Sequence, residues 1–246
     1  MKKACSQQKL TNNSPFQYDG MEGLITSSGL EWIVKEAVRG SFFFHPEIIN
    51  DRHTDLLELF NSQKPIPARK TTKEDKNAVY SQQQVNGQWV FVESSLNIPI
   101  KRDPNGNQNV RKIIKEYTGY TVGEGKDSVF QNYIISHIWG RAYDPRYFTS
   151  LWNIVLIPAW AYPLMDKVNP VQESVESLLQ STFQKICEEL YFTHIKNWKG
   201  IQMQKSPNLL TPKDVIHADY TVNIIGKKQS KNKSLVAPIE QQQIKI

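Results

Sequence analysis

A chain of 246 residues is long enough for one large domain or two small ones with an ample core. Hydrophobic residues make up 39% and charged residues 22%, an ordinary globular balance, and the formal net charge of +6 admits a polyanionic partner without demanding one. Two cysteines, Cys5 and Cys187, exclude a disulfide framework and a cysteine-rich zinc site, and no apolar run approaches the length of a membrane span. The opening "MKKACSQQKLTNNSPF" turns polar after two lysines and lacks the apolar stretch of a signal peptide, so a reducing, cytoplasmic setting is expected.

In chain order, residues 1–20 read as a polar tail. A helix is expected from Ser28, where Ser28 and Glu31 have capping-box spacing and Leu30, Ile33, Val34, Ala37 and Val38 form one apolar stripe. "DLLELF" (55–60) reads as a second, short helix. "NSQKPIPARKTTKEDKN" (61–77) carries two prolines and mixed charge and reads as a linker or exposed loop. "AVYSQQQVNGQWVFVES" predicts a β-hairpin, because Asn86-Gly87 suits a type I′ turn and β-prone residues flank it. After "RDPNGNQN" comes a basic helix, "VRKIIKEY" (110–117), and then a glycine-rich loop, "TGYTVGEGKD".

Two strands follow, "NYIISHIWG" and "WNIVLIP", joined by the loop "RAYDPRYFTS" with Arg141 and Arg146. "AWAYPLMDK" is expected to begin a helix. A longer supporting helix follows, with Val175, Leu178, Leu179, Phe183, Ile186 and Leu190 at helical spacing. The chain then makes one more apolar run, "YTVNIIG", before "KKQSKNKSLVAPIEQQQIKI", which is basic and Gln-rich and is expected to be disordered.

Most of the chemistry on offer lies in the paired strands. Hydrolysis of a phosphodiester needs an activated water, a charge-stabilising metal and a frame that holds both in line with the scissile phosphate. A neutral histidine can act as the base, and His137 closes the first strand. Asn153 heads the second. The bland alternative is a packed hairpin with two incidental polar residues. Arg141 and Arg146 either clamp a phosphate or stand as solvent-facing charges. Arg111 and Lys112 on the basic helix either follow DNA phosphates or form an ordinary charged surface. His45, His53, His194 and His217 have no partner at ligand spacing.

Residues 131–167 resemble the HNH branch of the ββα-metal nucleases, through "SHIWG", "DPRYFT", "NIVLIP" and "LMDK". The resemblance implies an α+β fold in which an HNH-like ββα centre (131–200) is backed by the supporting helix. An N-terminal helical part and linker (21–77), a hairpin with a DNA-contacting basic helix (78–130) and a C-terminal extension (201–246) would complete the chain. It implies His137 as general base and Asn153 as the amide that braces the loop. Ser136 stands where the family carries a metal-binding residue before the base, and Tyr162 stands nine residues after Asn153, where a ligand is usual. Asp166, and less directly Asp144, are therefore the carboxylates expected to hold Mg²⁺ or Mn²⁺. The function implied is a metal-dependent DNA endonuclease of restriction or defence type acting on double-stranded DNA, with a homodimer suited to symmetric cutting. The rival is a decayed scaffold that binds DNA or a protein without cutting.

Overall fold

The computed structural model describes residues 20–70, 81–93, 96–103, 106–123, 128–165, 173–200, 215–227 and 239–246. In chain order the elements are α1 (Gly20–Ser28), α2 (Leu30–Arg39), β1 (Phe42–Phe44), α3 (Pro46–Asn61), β2 (Ile66–Arg69), β3 (Ser81–Val85), β4 (Gln88–Glu93), β5 (Leu96–Asp103), α4 (Gln108–Thr118), β6 (Tyr133–His137), α5 (Pro145–Phe148), β7 (Ile154–Pro158), α6 (Val175–Gly200), β8 (Asp219–Ile225) and β9 (Ile239–Lys245). Among the described residues this is an α+β fold with six α-helices and two mixed sheets.

Several expectations change at the helices. Ser28 ends α1 instead of capping a helix, and Gly29 at φ +80° separates α1 from α2. That backbone angle is open to glycine at little steric cost and breaks the helical run. The short helix at 55–60 is the end of a sixteen-residue α3, which starts at Pro46 with the His45 imidazole accepting the Glu47 N–H. Arg52 and His53 lie buried on its inner face, so its stripe is not purely apolar. The long supporting helix is α6, kinked at Tyr191, whose hydroxyl meets the backbone of Phe44. "AWAYPLMDK" opens with a 3₁₀ turn at Tyr162–Leu164, and from Asp166 it lies outside the described residues.

The hairpin forms as expected, with Asn86 at φ +50° and Gly87 at φ +77° between β3 and β4. Residues read as linker supply β2, which pairs parallel with β5 in a sheet ordered β2-β5-β4-β3. The other sheet runs β6-β7-β1-β8-β9, so β1 from the N-terminal part is sandwiched between β7 and β8. The C-terminal end, expected to be disordered, supplies β9, which pairs antiparallel with β8 along seven residues. Ile154 to Ile157 of β7 are fully buried. At roughly 1.5–3 kcal/mol for each large apolar side chain buried, this strand is a principal anchor of the core. α6 packs on α2, α3 and the turn Leu151–Asn153, which closes one side of the β6–β7 hairpin.

Among the described residues no helix is long and apolar enough to cross a membrane. Residues 71–77 of the linker, residues 124–127 of the glycine-rich loop and residues 1–19 of the N-terminal tail lie outside the described residues.

Candidate functional site

β6 and β7 pair antiparallel with His137 opposite Ile154, which puts His137 at the mouth of the loop and Asn153 at its return. Asn153 is fully buried. Its Oδ1 accepts the Trp139 N–H at 2.9 Å, and its Nδ2 donates to the carbonyls of Tyr147 and Gly140 at 3.2 and 3.3 Å. Its backbone carbonyl accepts from Ile138 N–H at 2.9 Å. One amide thus ties three points of the loop to the head of β7.

The His137 ring lies within 10° of parallel to the Phe148 ring, centroids 5.5 Å apart, and Nε2 meets the Phe148 carbonyl at 3.0 Å. A carbonyl only accepts, so Nε2 carries the proton and Nδ1 is left with its lone pair. Among the described residues Nδ1 has no hydrogen-bond partner. Burial, helped by the Arg69 guanidinium and opposed by the Phe148 bond, lowers the pKa of His137 to about 4. The imidazole is neutral near pH 7.

Asp144 caps α5, accepting the Arg146 N–H at 2.9 Å. Both its oxygens also accept from the Arg146 guanidinium, at 2.8 to 3.2 Å. Asp144 is fully buried and Arg146 nearly so, with the guanidinium 5.2 Å from the Phe91 ring centre. The arrangement pairs these two residues with each other inside the protein. Short spacing and a Pro145-led turn produce this: the capping carboxylate and a side chain two residues on share one side of the turn. Arg141, half-buried at φ +54°, lies beside the Tyr147 ring. Arg111 and Lys112 are exposed on the first turns of α4, whose inner face buries Val110 and Ile114.

Sequence reasoning missed four residues here. Gln180 and Gln184, one helical turn apart on α6, both donate to the Ile138 carbonyl, at 3.2 and 3.4 Å. Two amides at that spacing inside an apolar stripe are the readable signal for them. Arg69 and Asn107 join β2 to the edge of β6: Arg69 Nη2 donates to Asn107 Oδ1 at 2.8 Å, and Asn107 Nδ2 to the Ile135 carbonyl at 3.3 Å. Nothing in the sequence foretells that contact.

A hard divalent cation needs only one or two protein oxygens, with water and phosphate filling its other positions. Among the described residues no group of three His, Cys, Asp or Glu side chains is placed to hold a metal. Asp144 pairs with Arg146, and the Arg69 guanidinium opposes protonation of His137. Asp166 lies outside the described residues, while Tyr162 packs against the core.

A protein-family model described as "Uncharacterised protein PM1201" matches residues 44–244. No curated protein and no solved structure matches the chain.

Proposed function

The chain belongs to the PM1201 family, and we propose that it is a DNA endonuclease of the HNH kind, hydrolysing phosphodiester bonds in a restriction or defence role. The observation that supports this reading is the poise of His137. Its Nε2–H is fixed on the Phe148 carbonyl, which leaves Nδ1 with the lone pair, and its loop is braced by Asn153. In the proposed reaction Nδ1 takes a proton from water, the water oxygen attacks phosphorus, and the scissile P–O bond breaks as its oxygen leaves and takes up a proton from solvent. Arg141, at the loop, and Arg111 and Lys112 on α4 contact the phosphates of the duplex. Mg²⁺ or Mn²⁺ would be held by Asp166, with Asp144 as a second carboxylate, and would stabilise charge on the phosphate.

A second reading, a DNA-binding or interaction protein on the same scaffold without catalysis, is favoured by one feature. The Asp144–Arg146 pair neutralises two groups that hydrolysis would otherwise use.

Supercoiled plasmid incubated with the protein and Mg²⁺ or Mn²⁺, with and without chelator, separates the two. Nicking by the wild type that is lost in His137→Ala, a variant confirmed folded by circular dichroism, supports the endonuclease. Retardation of DNA on a gel with no cleavage supports the binding protein.

A further inference from the structure

We propose that the cleft beside Trp160 takes an unpaired nucleobase of a single nucleic-acid strand, stacked on the indole, with Arg39 on a neighbouring phosphate. The site needs neither His137 nor a metal, so it goes beyond the endonuclease reading and holds for a chain that cuts or one that only binds.

The cleft has a volume of about 600 Å³ and lies where the end of α2 meets the larger sheet. Pockets that hold small ligands fall in that size range. Gly40 and Pro158 meet in its lining: a Cβ at Gly40 would stand 2.9 Å from Pro158 Cγ, so any side chain there would press on the proline. The Asn223 amide donates to the carbonyls of Arg39 and Ser41 at 2.7 and 3.1 Å, which fixes the end of α2 against β8. Tyr133 pairs with Pro158 across the β6–β7 ribbon, at the end away from the His137–Ile154 pair. Four residues of strand at about 3.3 Å each put roughly 13 Å between those ends.

Trp160 follows β7 and is 42% exposed, whereas Trp139 and Trp152 are buried. Tyr133 lines the same cleft, and its edge contact with the Phe42 ring, centroids 5.2 Å apart, holds the phenol in place. An exposed indole beside a fixed ring offers a stacking face, and stacking of this kind accepts every base. The polar lining suits a base edge, which carries donors and acceptors together. Both Arg39 contacts land on Glu36 Oε2, at 2.5 and 3.1 Å, which leaves Oε1 to accept a base N–H. Those contacts use Arg39 Nε and Nη2, and the side chain is 68% exposed, so Nη1 is left for a phosphate oxygen. A neutral sugar stacked on the indole would leave that cation unused. Trp32, one turn before Glu36 on the outer face of α2 and 49% exposed, gives a second ring about 6 Å along the helix for a neighbouring base.

The test uses the full chain in EDTA with a short oligothymidylate, beside an abasic deoxyribose-phosphate oligomer of the same length and charge. Tryptophan fluorescence and calorimetry follow binding. The oligothymidylate should quench the emission saturably and bind about tenfold or more tightly than the abasic oligomer. Trp160→Ala should remove that preference, and Trp160→Phe, which keeps a ring, should retain most of it. Circular dichroism and the melting temperature check that both surface variants stay folded. Arg39→Gln should weaken both oligomers alike and flatten their salt dependence. Equal affinity for the two oligomers, or a preference unchanged in Trp160→Ala, overturns the proposal. Saturable quenching by a neutral oligosaccharide and not by the oligothymidylate overturns it too. Because the chelator removes any metal, the result reads stacking whether or not the chain cuts plasmid.

Discussion

His137 and Phe148 touch twice: ring on ring at 5.5 Å, and Nε2 on the backbone carbonyl at 3.0 Å. Together these contacts fix the plane of the imidazole and its tautomer, and burial holds it neutral with a pKa of about 4. In the unfolded chain the same group titrates near its ordinary value of about 6.5. Because the folded pKa is the lower one, the unfolded state binds more protons as pH falls from about 6.5 to about 4, and stability is lost across that window. A shift of that size is worth on the order of 3 kcal/mol for His137. Urea denaturation at pH 7 and pH 4.5 should show the loss, and it should shrink in His137→Gln. An NMR titration placing His137 near 6.5 would contradict both the burial and the tautomer assignment.

Catalysis by a base of this kind predicts a plain pH profile. His137 works in its neutral form, so a nicking rate measured on folded protein should be flat from about pH 6 upward on the acid limb and fall toward about pH 4. An acid limb with its midpoint near pH 6.5 would assign the base to a different, exposed group.

Asn153 carries more of the loop than its single side chain suggests. Asn153→Ala would leave the Trp139 N–H and two carbonyls without their partner, in a position with no access to water. The expected cost is about 2–4 kcal/mol, read by chemical denaturation. Asn153→Asp keeps the acceptor for Trp139 but loses both donors, and it should destabilise as well. A near-neutral result for either variant would mean that the loop holds its shape without the brace.

The Asp144–Arg146 pair sits wholly inside the protein, and a buried pair behaves differently from a surface one. Removing one partner strands the other charge, so Asp144→Ala alone is expected to cost about 3–5 kcal/mol. Replacing both, as Asp144→Ala with Arg146→Met, should cost less than the sum of the single changes. Additive losses in the double-mutant cycle would show that the two side chains act independently.

What was legible in the sequence follows from how local each signal is. Asn86 and Gly87 announce their turn because the positive φ angles belong to those two residues alone. The β6–β7 ribbon was visible through its apolar runs, with His137 and Asn153 marking its open end. The first half of α3 was hidden because Arg52 and His53 lie where a sequence reader looks for apolar residues, yet both are buried, with Arg52 hydrogen-bonded to Thr149. Arg69 was hidden for another reason. It falls in a proline-marked stretch that reads as linker, and only the parallel pairing of β2 with β5 brings it to the edge of β6. The Asp144–Arg146 pair was hidden by its own brevity: in sequence the two residues read as separate charges, while the turn between them makes them one unit.

β9 gives the last prediction. Its sequence, "IEQQQIK", has little intrinsic strand character, and it forms because β8 offers it an edge. Gln241 donates to Asn223 Oδ1 at 3.2 Å, and Gln243 to the Thr221 hydroxyl at 2.7 Å. Asn223 in turn donates to the carbonyls of Arg39 and Ser41, linking the strand pair to the end of α2. Ile244 is the buried residue of β9, opposite Tyr220. Ile244→Ala should therefore cost about 2–3 kcal/mol, whereas Gln242→Ala, at an exposed position, should cost less than about 0.5 kcal/mol. Truncation before Ile239 would bare the full length of β8 as an unpaired edge, and size-exclusion chromatography should then show concentration-dependent association. A truncated chain that stays monomeric with wild-type stability would mean that β9 covers β8 without supporting it.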